Sequence, residues 1–140
     1  MAGERGYDGR VLLGVLGAEL LFRSVAGEVA VPAAAAPEDW PQHALLAGVR
    51  VPVTAGRRLA FDRSLKPVVS VAVALDGDRA SVGIGCVFAA PKFWSGAAAD
   101  AVPADVLSDA LDNPMGSAAY RRRMIGTLAQ RQIRALTGEN

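Results

Sequence analysis

The sequence predicts an α+β chain in which an antiparallel sheet carries its helices packed on one face. Three observations carry this expectation. Val68 to Leu75 places branched residues at Val69, Val71 and Val73, and Asp76-Gly77 follows, a strong signal for a tight turn between antiparallel strands. Arg79 to Phe88 then reads as the returning strand. After Ser117 the period changes, and a long stretch rich in Arg, Ala and Leu reads as a helix. The order is a little helix, then strands, then helices, which gathers helices after an antiparallel sheet.

Each element has its own signal. Val11, Leu12, Val15 and Leu16 fall near helical spacing, so residues 10–16 predict a short helix ended near Gly17. Residues 18–24 predict a strand, Ala26-Gly27 a turn, and residues 28–32 a second strand, together a hairpin. Residues 32–42 hold three prolines, which remove backbone donors and bias their neighbours away from helix, so this is a surface loop. Leu45 to Val53 predicts a strand with Val49, Val51 and Val53 on one face, and Thr54 to Arg58 a turn into a strand at 59–62. In the returning strand 79–88, Gly83 and Gly85 permit close backbone approach. Residues 95–103 are small and Ala-rich and predict no element. Val102 to Leu111 predicts a short helix stopped by Pro114. In the last helix Ser117 is the N-cap and Thr137-Gly138 the end. Tyr120, Met124, Ile125, Leu128, Ile133 and Leu136 are expected on its inner side, and Arg121, Arg122, Arg131 and Arg134 on its wet side.

Composition excludes several classes. Of 140 residues, 15 are Lys or Arg and 14 Asp or Glu, a net charge of +1. That balance gives no electrostatic reason to expect nucleic acid or an anionic membrane surface as partner. Hydrophobic residues make up 51% of the chain, but many are alanine and only 6% are aromatic, so the core is built from small side chains. The single cysteine, Cys86, forbids an intrachain disulfide and a multi-cysteine metal site. No apolar run reaches the roughly 20 residues that span a bilayer. The opening residues are polar and Gly-rich, without the layout of a secretory signal, so a cytoplasmic protein is expected.

Candidate chemistry is sparse by pattern. Arg121-Arg122-Arg123 could clamp phosphate or meet an acidic partner. The competing reading is a solvated face, with the four acids between Asp100 and Asp112 offering internal partners. His43, the only histidine, sits in the proline-rich loop with no nucleophile or carboxylate partner in view. Cys86 reads as a small buried hydrophobe inside a strand. Neither a Gly-x-Ser-x-Gly elbow nor a Walker A loop occurs, and Gly83-Ile84-Gly85 lacks the third glycine and helix of a dinucleotide fingerprint. Trp40 and Trp94 flank loops, where they seal a small core or meet a subunit.

Two passages resemble a known family. Lys66 to Gly77 (KPVVSVAVALDG) with Ser81 to Gly85 is similar to its "VVSVAV-L" strand passage, and Gly116 to Arg123 to its "S-x-x-YRR" helix opening. Asp8 to Leu20, Glu28 to Pro32, and Leu45 to Pro52 resemble three earlier segments in the same order. Together they resemble the C-terminal part of the FAD-binding (medium) subunit of the molybdenum hydroxylases, the family of xanthine dehydrogenase, carbon monoxide dehydrogenase and aldehyde oxidase. The middle, Gly85 to Pro91, keeps the proline and otherwise departs.

The resemblance implies residues 1–63 as a remnant of the FAD-binding subdomain, preceding a C-terminal α+β domain over 64–140. It implies a component of an oxidoreductase that passes electrons through FAD, with a molybdenum-cofactor large subunit and an iron–sulfur small subunit as partners. It matches Asp8 to an acid that helps hold FAD, Leu46 to a leucine near the flavin ring, and Arg63 to a basic residue beside the flavin. It implies no catalytic residue and no metal ligand of the chain's own. The family's Gly-rich loops, whose backbone N–H groups wrap the FAD pyrophosphate, precede the matching region. The 140 residues by themselves are therefore expected to hold FAD poorly, and the alternative reading is a docking module that no longer binds it.

Overall fold

The computed structural model describes residues 8–65, 68–100 and 102–138. The polar opening residues and Lys66-Pro67 of the "VVSVAV" passage lie outside the described residues. The chain runs α1 (Asp8–Val15), β1 (Glu19–Ser24), β2 (Gly27–Pro32), β3 (Leu45–Arg50), β4 (Arg58–Arg63), β5 (Ser70–Asp76), β6 (Arg79–Gly85), β7 (Lys92–Ala97) and α2 (Ala118–Thr137). Short 3-10 turns occupy Pro37–Asp39 and Ala104–Leu107. The strands form two antiparallel sheets, a three-stranded one in the order β2-β1-β3 and a four-stranded one in the order β4-β5-β6-β7. The α+β class holds.

The period of two in β5 organises the larger sheet. Val71, Val73 and Leu75 point to one face, where they meet Val82 and Ile84 of β6 and Ile125, Leu128 and Ala129 of α2. Ala72 and Ala74 point to the other, where they meet Val11 and Val15 of α1. The helical elements that follow the sheet, α2 and the Ala104–Leu107 turn, thus share one face, and α1 covers the opposite one. Gly83 and Gly85 explain how α1 comes so close. A Cβ on Gly83 would stand 3.0 Å from the Val11 carbonyl oxygen, and one on Gly85 would stand 2.8 Å from Val11 Cγ2. Both glycines serve packing. The smaller sheet has its own core of Leu20, Phe22 and Val31, sealed by Trp40, whose ring centroid lies 5.7 Å from that of Phe22.

Several boundaries differ from expectation for physical reasons. The strand expected to reach Val53 stops at Arg50; Pro52 has no N–H to donate, and Val51 and Val53 are exposed. The strand expected to reach Phe88 stops at Gly85, because Cys86 takes a positive φ of 63° that breaks the ladder. β7 was not predicted at all: Gly96 and Ala97 weaken its pattern, while Phe93 and Trp94 supply the packing. Trp94 lies over the position a Gly96 Cβ would occupy. The helix expected over 102–111 is only the 3-10 turn Ala104–Leu107, whose N-cap, Pro103, offers no side-chain hydrogen bond. In α2, Ser117 caps as expected, accepting from the Tyr120 N–H at 3.1 Å, and Gly138 closes the helix with φ 81°. Its inner side carries Ile125, Leu128, Met124, Ile133 and Leu136 as expected, but Arg121 and Gln132 are buried there too and Tyr120 is exposed.

Lys92 holds the 3-10 segment to β7. Its Nζ donates to the Val106 carbonyl at 3.2 Å, pairs with Asp109, and lies 4.4 Å from the Phe88 ring centroid. The Lys92 hydrogen bond holds the Asp109 carboxyl below its usual 3.8. A lowered folded pKa contributes stability above the unfolded value and loses it as pH falls through the folded one. The protection factor of the Leu111 amide, which bonds to the Val87 carbonyl, should therefore fall on acidification below about pH 4 before those of the sheet amides respond. In Lys92→Met that acid dependence should disappear; a variant with the wild-type profile would remove the clamp.

Candidate functional site

Two of the three residues matched to the flavin lie side by side. Asp8 opens α1, and Arg63 ends β4 on the neighbouring sheet. Arg63 Nη1 lies 3.4 Å from Asp8 Oδ2. The seating of α1 on Gly83 and Gly85 brings the carboxylate to the sheet edge, and the register Arg63↔Ser70 sets the guanidinium opposite. The other carboxylate oxygen, Asp8 Oδ1, is buried and has no hydrogen-bond partner among the described residues. A buried acceptor without a donor is costly, and a ligand hydroxyl or N–H would satisfy it. Leu46 lies elsewhere: it is on β3 of the smaller sheet, opposite Phe22 of β1, and 55% exposed.

The described residues fit one part of a flavin nucleotide and not another. Asp8 can accept from a hydroxyl and Arg63 can place positive charge beside it, whereas Leu46, on the other sheet, is not brought to them. A pyrophosphate finds no cradle. The positive end of α1 is the nearest candidate, and the Asp8 carboxylate already neutralises it. A separate cleft of about 360 Å³ opens at the far end of α1, lined by Gly14, Gly17, Ala18, Glu19, Pro32, Ala34, Arg50 and Pro52. Among the described residues, Arg50 Nη1 pairs there with Glu19 Oε2 at 2.8 Å. None of Asp8, Leu46 or Arg63 lines it.

The arginine-rich helix resolves into separate roles. Arg121 is only 1% exposed and is spent internally. Its Nε donates to the Gly116 carbonyl at 3.1 Å and its Nη1 to the Val68 and Cys86 carbonyls at 2.7 and 2.5 Å. Its Nη2 donates to Asn113 Oδ1 at 2.9 Å. It therefore ties the start of α2 to both chain segments that leave the β5–β6 ladder and cannot clamp a phosphate. Sequence reasoning placed it on the wet side by residue type. The stripe Arg121, Ile125, Leu128, Gln132, at steps of four, three and four, is the signal that shows it inside. Arg131 pairs with Asp62 of β4. The internal pairing expected between this helix and the acids of 100–112 is not among the ion pairs of the described residues; Asp109 pairs with Lys92 instead.

The remaining candidates hold little chemistry. His43 is exposed, with φ 57° in the turn before β3. Cys86, half-buried rather than inside a strand, places its Sγ 3.9 Å from Ser70 Oγ. Among the described residues no three His, Cys, Asp or Glu side chains gather as a metal site, and no helix is long and apolar enough to cross a membrane.

No family model matches the chain. No curated protein matches it in sequence. Solved structures do match its fold. A carbon monoxide dehydrogenase from Hydrogenophaga pseudoflava, in a form lacking the Mo-pyranopterin moiety of the molybdenum cofactor, is 17% identical with a TM-score of 0.71; the match covers 94% of this chain and 56% of that one. Quinoline 2-oxidoreductase from Pseudomonas putida 86 is 20% identical with a TM-score of 0.66, covering 93% of this chain and 56% of that one. Reconstituted CO dehydrogenase from Oligotropha carboxidovorans is 20% identical with a TM-score of 0.62, covering 87% of this chain and 53% of that one. At these identities the likeness is one of fold. The chain spans just over half the length of the chains it matches.

Proposed function

We propose that the chain is a component of a molybdenum hydroxylase-type oxidoreductase, equivalent to the C-terminal part of its FAD-binding subunit. Residues 1–63 continue the FAD subdomain, and 64–140 form the domain behind it. The observation that carries this reading is the fold match to a carbon monoxide dehydrogenase chain over 94% of the sequence. The Asp8–Arg63 pair, with its buried unsatisfied oxygen, adds a place for a polar cofactor group. FAD, when bound, supplies electron transfer between redox centres and an acceptor. The part of this chain is positional: Asp8 accepts a hydrogen bond and Arg63 sets the local charge. Polypeptide beyond these residues supplies the pyrophosphate contacts, and a molybdenum-cofactor subunit and an iron–sulfur subunit complete a cytoplasmic assembly.

The second reading, a docking module that has lost flavin, is favoured by one observation: the described residues hold no pyrophosphate cradle. Flavin titration of the purified assembly, followed by absorbance, separates the two. On the first reading Asp8→Ala weakens FAD by about ten- to a hundred-and-fiftyfold, the range for a hydrogen bond to a charged group, and Arg63→Ala also weakens it. Wild-type affinity in Asp8→Ala would remove Asp8 from the site. An assembly that takes up no flavin at saturating FAD would leave the docking reading.

A further inference from the structure

β3 is an outer strand without the features that keep outer strands solitary in water. It pairs with β1 along one edge, and among the described residues no strand lies along the other. Its sequence is Leu-Leu-Ala-Gly-Val-Arg, and its large apolar side chains are all exposed, Leu45 at 79%, Leu46 at 55% and Val49 at 42%. The register sets Leu46 and Val49 opposite Phe22 and Leu20, on the face of the small core, and Leu45 opposite Arg23, on the other face. The strand is thus apolar on both faces. The other outer strands are guarded. β2 carries Glu28 and ends in Pro32, β4 carries Asp62 between Phe61 and Arg63, and β7 has the Ala104–Leu107 segment fastened to it through Lys92. The charge on β3, Arg50, closes the strand and pairs back to Glu19 of β1.

An open edge on an apolar strand is a template for another strand. Water can satisfy the free N–H and C=O groups but leaves the leucines wet. An added strand pairs the main chain and shields the side chains on both faces at once, the mode in which extended polypeptide joins a sheet. Since Arg50 is already paired, β3 presents an uncharged edge, which fits a neutral strand with apolar residues on both faces. The fold match bears on the source of such a strand: it covers 94% of this chain but 56% of the carbon monoxide dehydrogenase chain, so a large part of a chain of that kind lies outside these residues.

We propose that β3 receives an extended, neutral strand from polypeptide outside these residues, which continues the sheet β2-β1-β3 by one member. The source of that strand rests on the flavoprotein-subunit reading; its place rests on the exposure and register of β3. The test is hydrogen exchange, read by mass spectrometry, on the tagged chain in the complex it forms in its native cells and on the same chain purified alone. The expected result is exchange at least about tenfold slower in the complex across Leu45–Arg50, with Gly27–Pro32 of β2 unchanged. Leu45→Lys with Ala47→Lys, two exposed positions, should leave the urea midpoint of the chain in place and abolish that protection. Equal exchange at β3 in a complex that holds molybdenum, iron and flavin overturns the proposal and leaves the assembly reading standing. Slowed exchange at β3 in a complex with neither metal nor flavin supports the added strand and removes the assembly reading. A chain that purifies alone overturns both. Protection of β3 that grows with the concentration of the chain by itself also overturns the proposal, since a second copy then holds the edge.

Discussion

Arg121→Met is expected to lower folding stability by about 2–4 kcal/mol, since the buried Val68 carbonyl is left without this donor at roughly 1–3 kcal/mol and the part-buried Cys86 and Gly116 carbonyls each lose one hydrogen bond. Methionine keeps much of the volume and the apolar stem, so the loss reports hydrogen bonds rather than a cavity. The acceptors are the carbonyls of Val68, Cys86 and Gly116, in segments far apart in the chain. Arg121→Lys should recover only part, because one ammonium cannot reproduce the planar fork that spans these positions. Arg122→Met, one residue along and exposed, should stay within about 0.5 kcal/mol of wild type. Urea denaturation reads all three. Equal effects at 121 and 122 would mean that Arg121 is a surface residue.

Gly83→Val should cost about 1–3 kcal/mol and displace α1, the usual range for overpacking a filled site. The new side chain would meet Val15 Cγ1 at 2.9 Å and the Val11 carbonyl oxygen at 3.0 Å. The second is helix backbone, so no rotamer change relieves it. Because α1 carries both Asp8 and Arg10, the displacement is legible at a distance. Arg10 lies 5.3 Å from the Trp40 ring centroid and donates to the Ala33 carbonyl. In a Trp94→Phe background, Trp40 emission should shift to the red in Gly83→Val. An unshifted spectrum with unchanged stability would show that α1 does not rest on Gly83.

What the sequence discloses follows from how local each signal is. The β5–β6 hairpin is legible because branched residues at every second position and Asp76-Gly77 lie within one short window. The ends of α2 are legible because Ser117 and Gly138 perform capping chemistry with their immediate neighbours. β7 is not legible: four of its six residues are small or polar, and its strand character comes from pairing with β6. Arg121 misleads because a charge is normally wet, and only carbonyls drawn together by the tertiary fold make its burial possible. The Asp8–Arg63 pair spans 55 residues, so no periodicity announces it. The resemblance to the flavoprotein subunit nominated both residues, and the fold brings them within 3.4 Å while leaving Leu46 on the other sheet.

The assembly proposed for this chain, a molybdenum hydroxylase-type complex, is open to direct test. The most direct measurement is to purify the tagged chain from its native cells and determine molybdenum, iron and flavin in the same size-exclusion peak. The account predicts all three in fixed ratio to the chain, with flavin lost selectively in Asp8→Ala while molybdenum and iron remain. Elution with neither metal nor flavin, at the mass of the chain or its dimer alone, would contradict it.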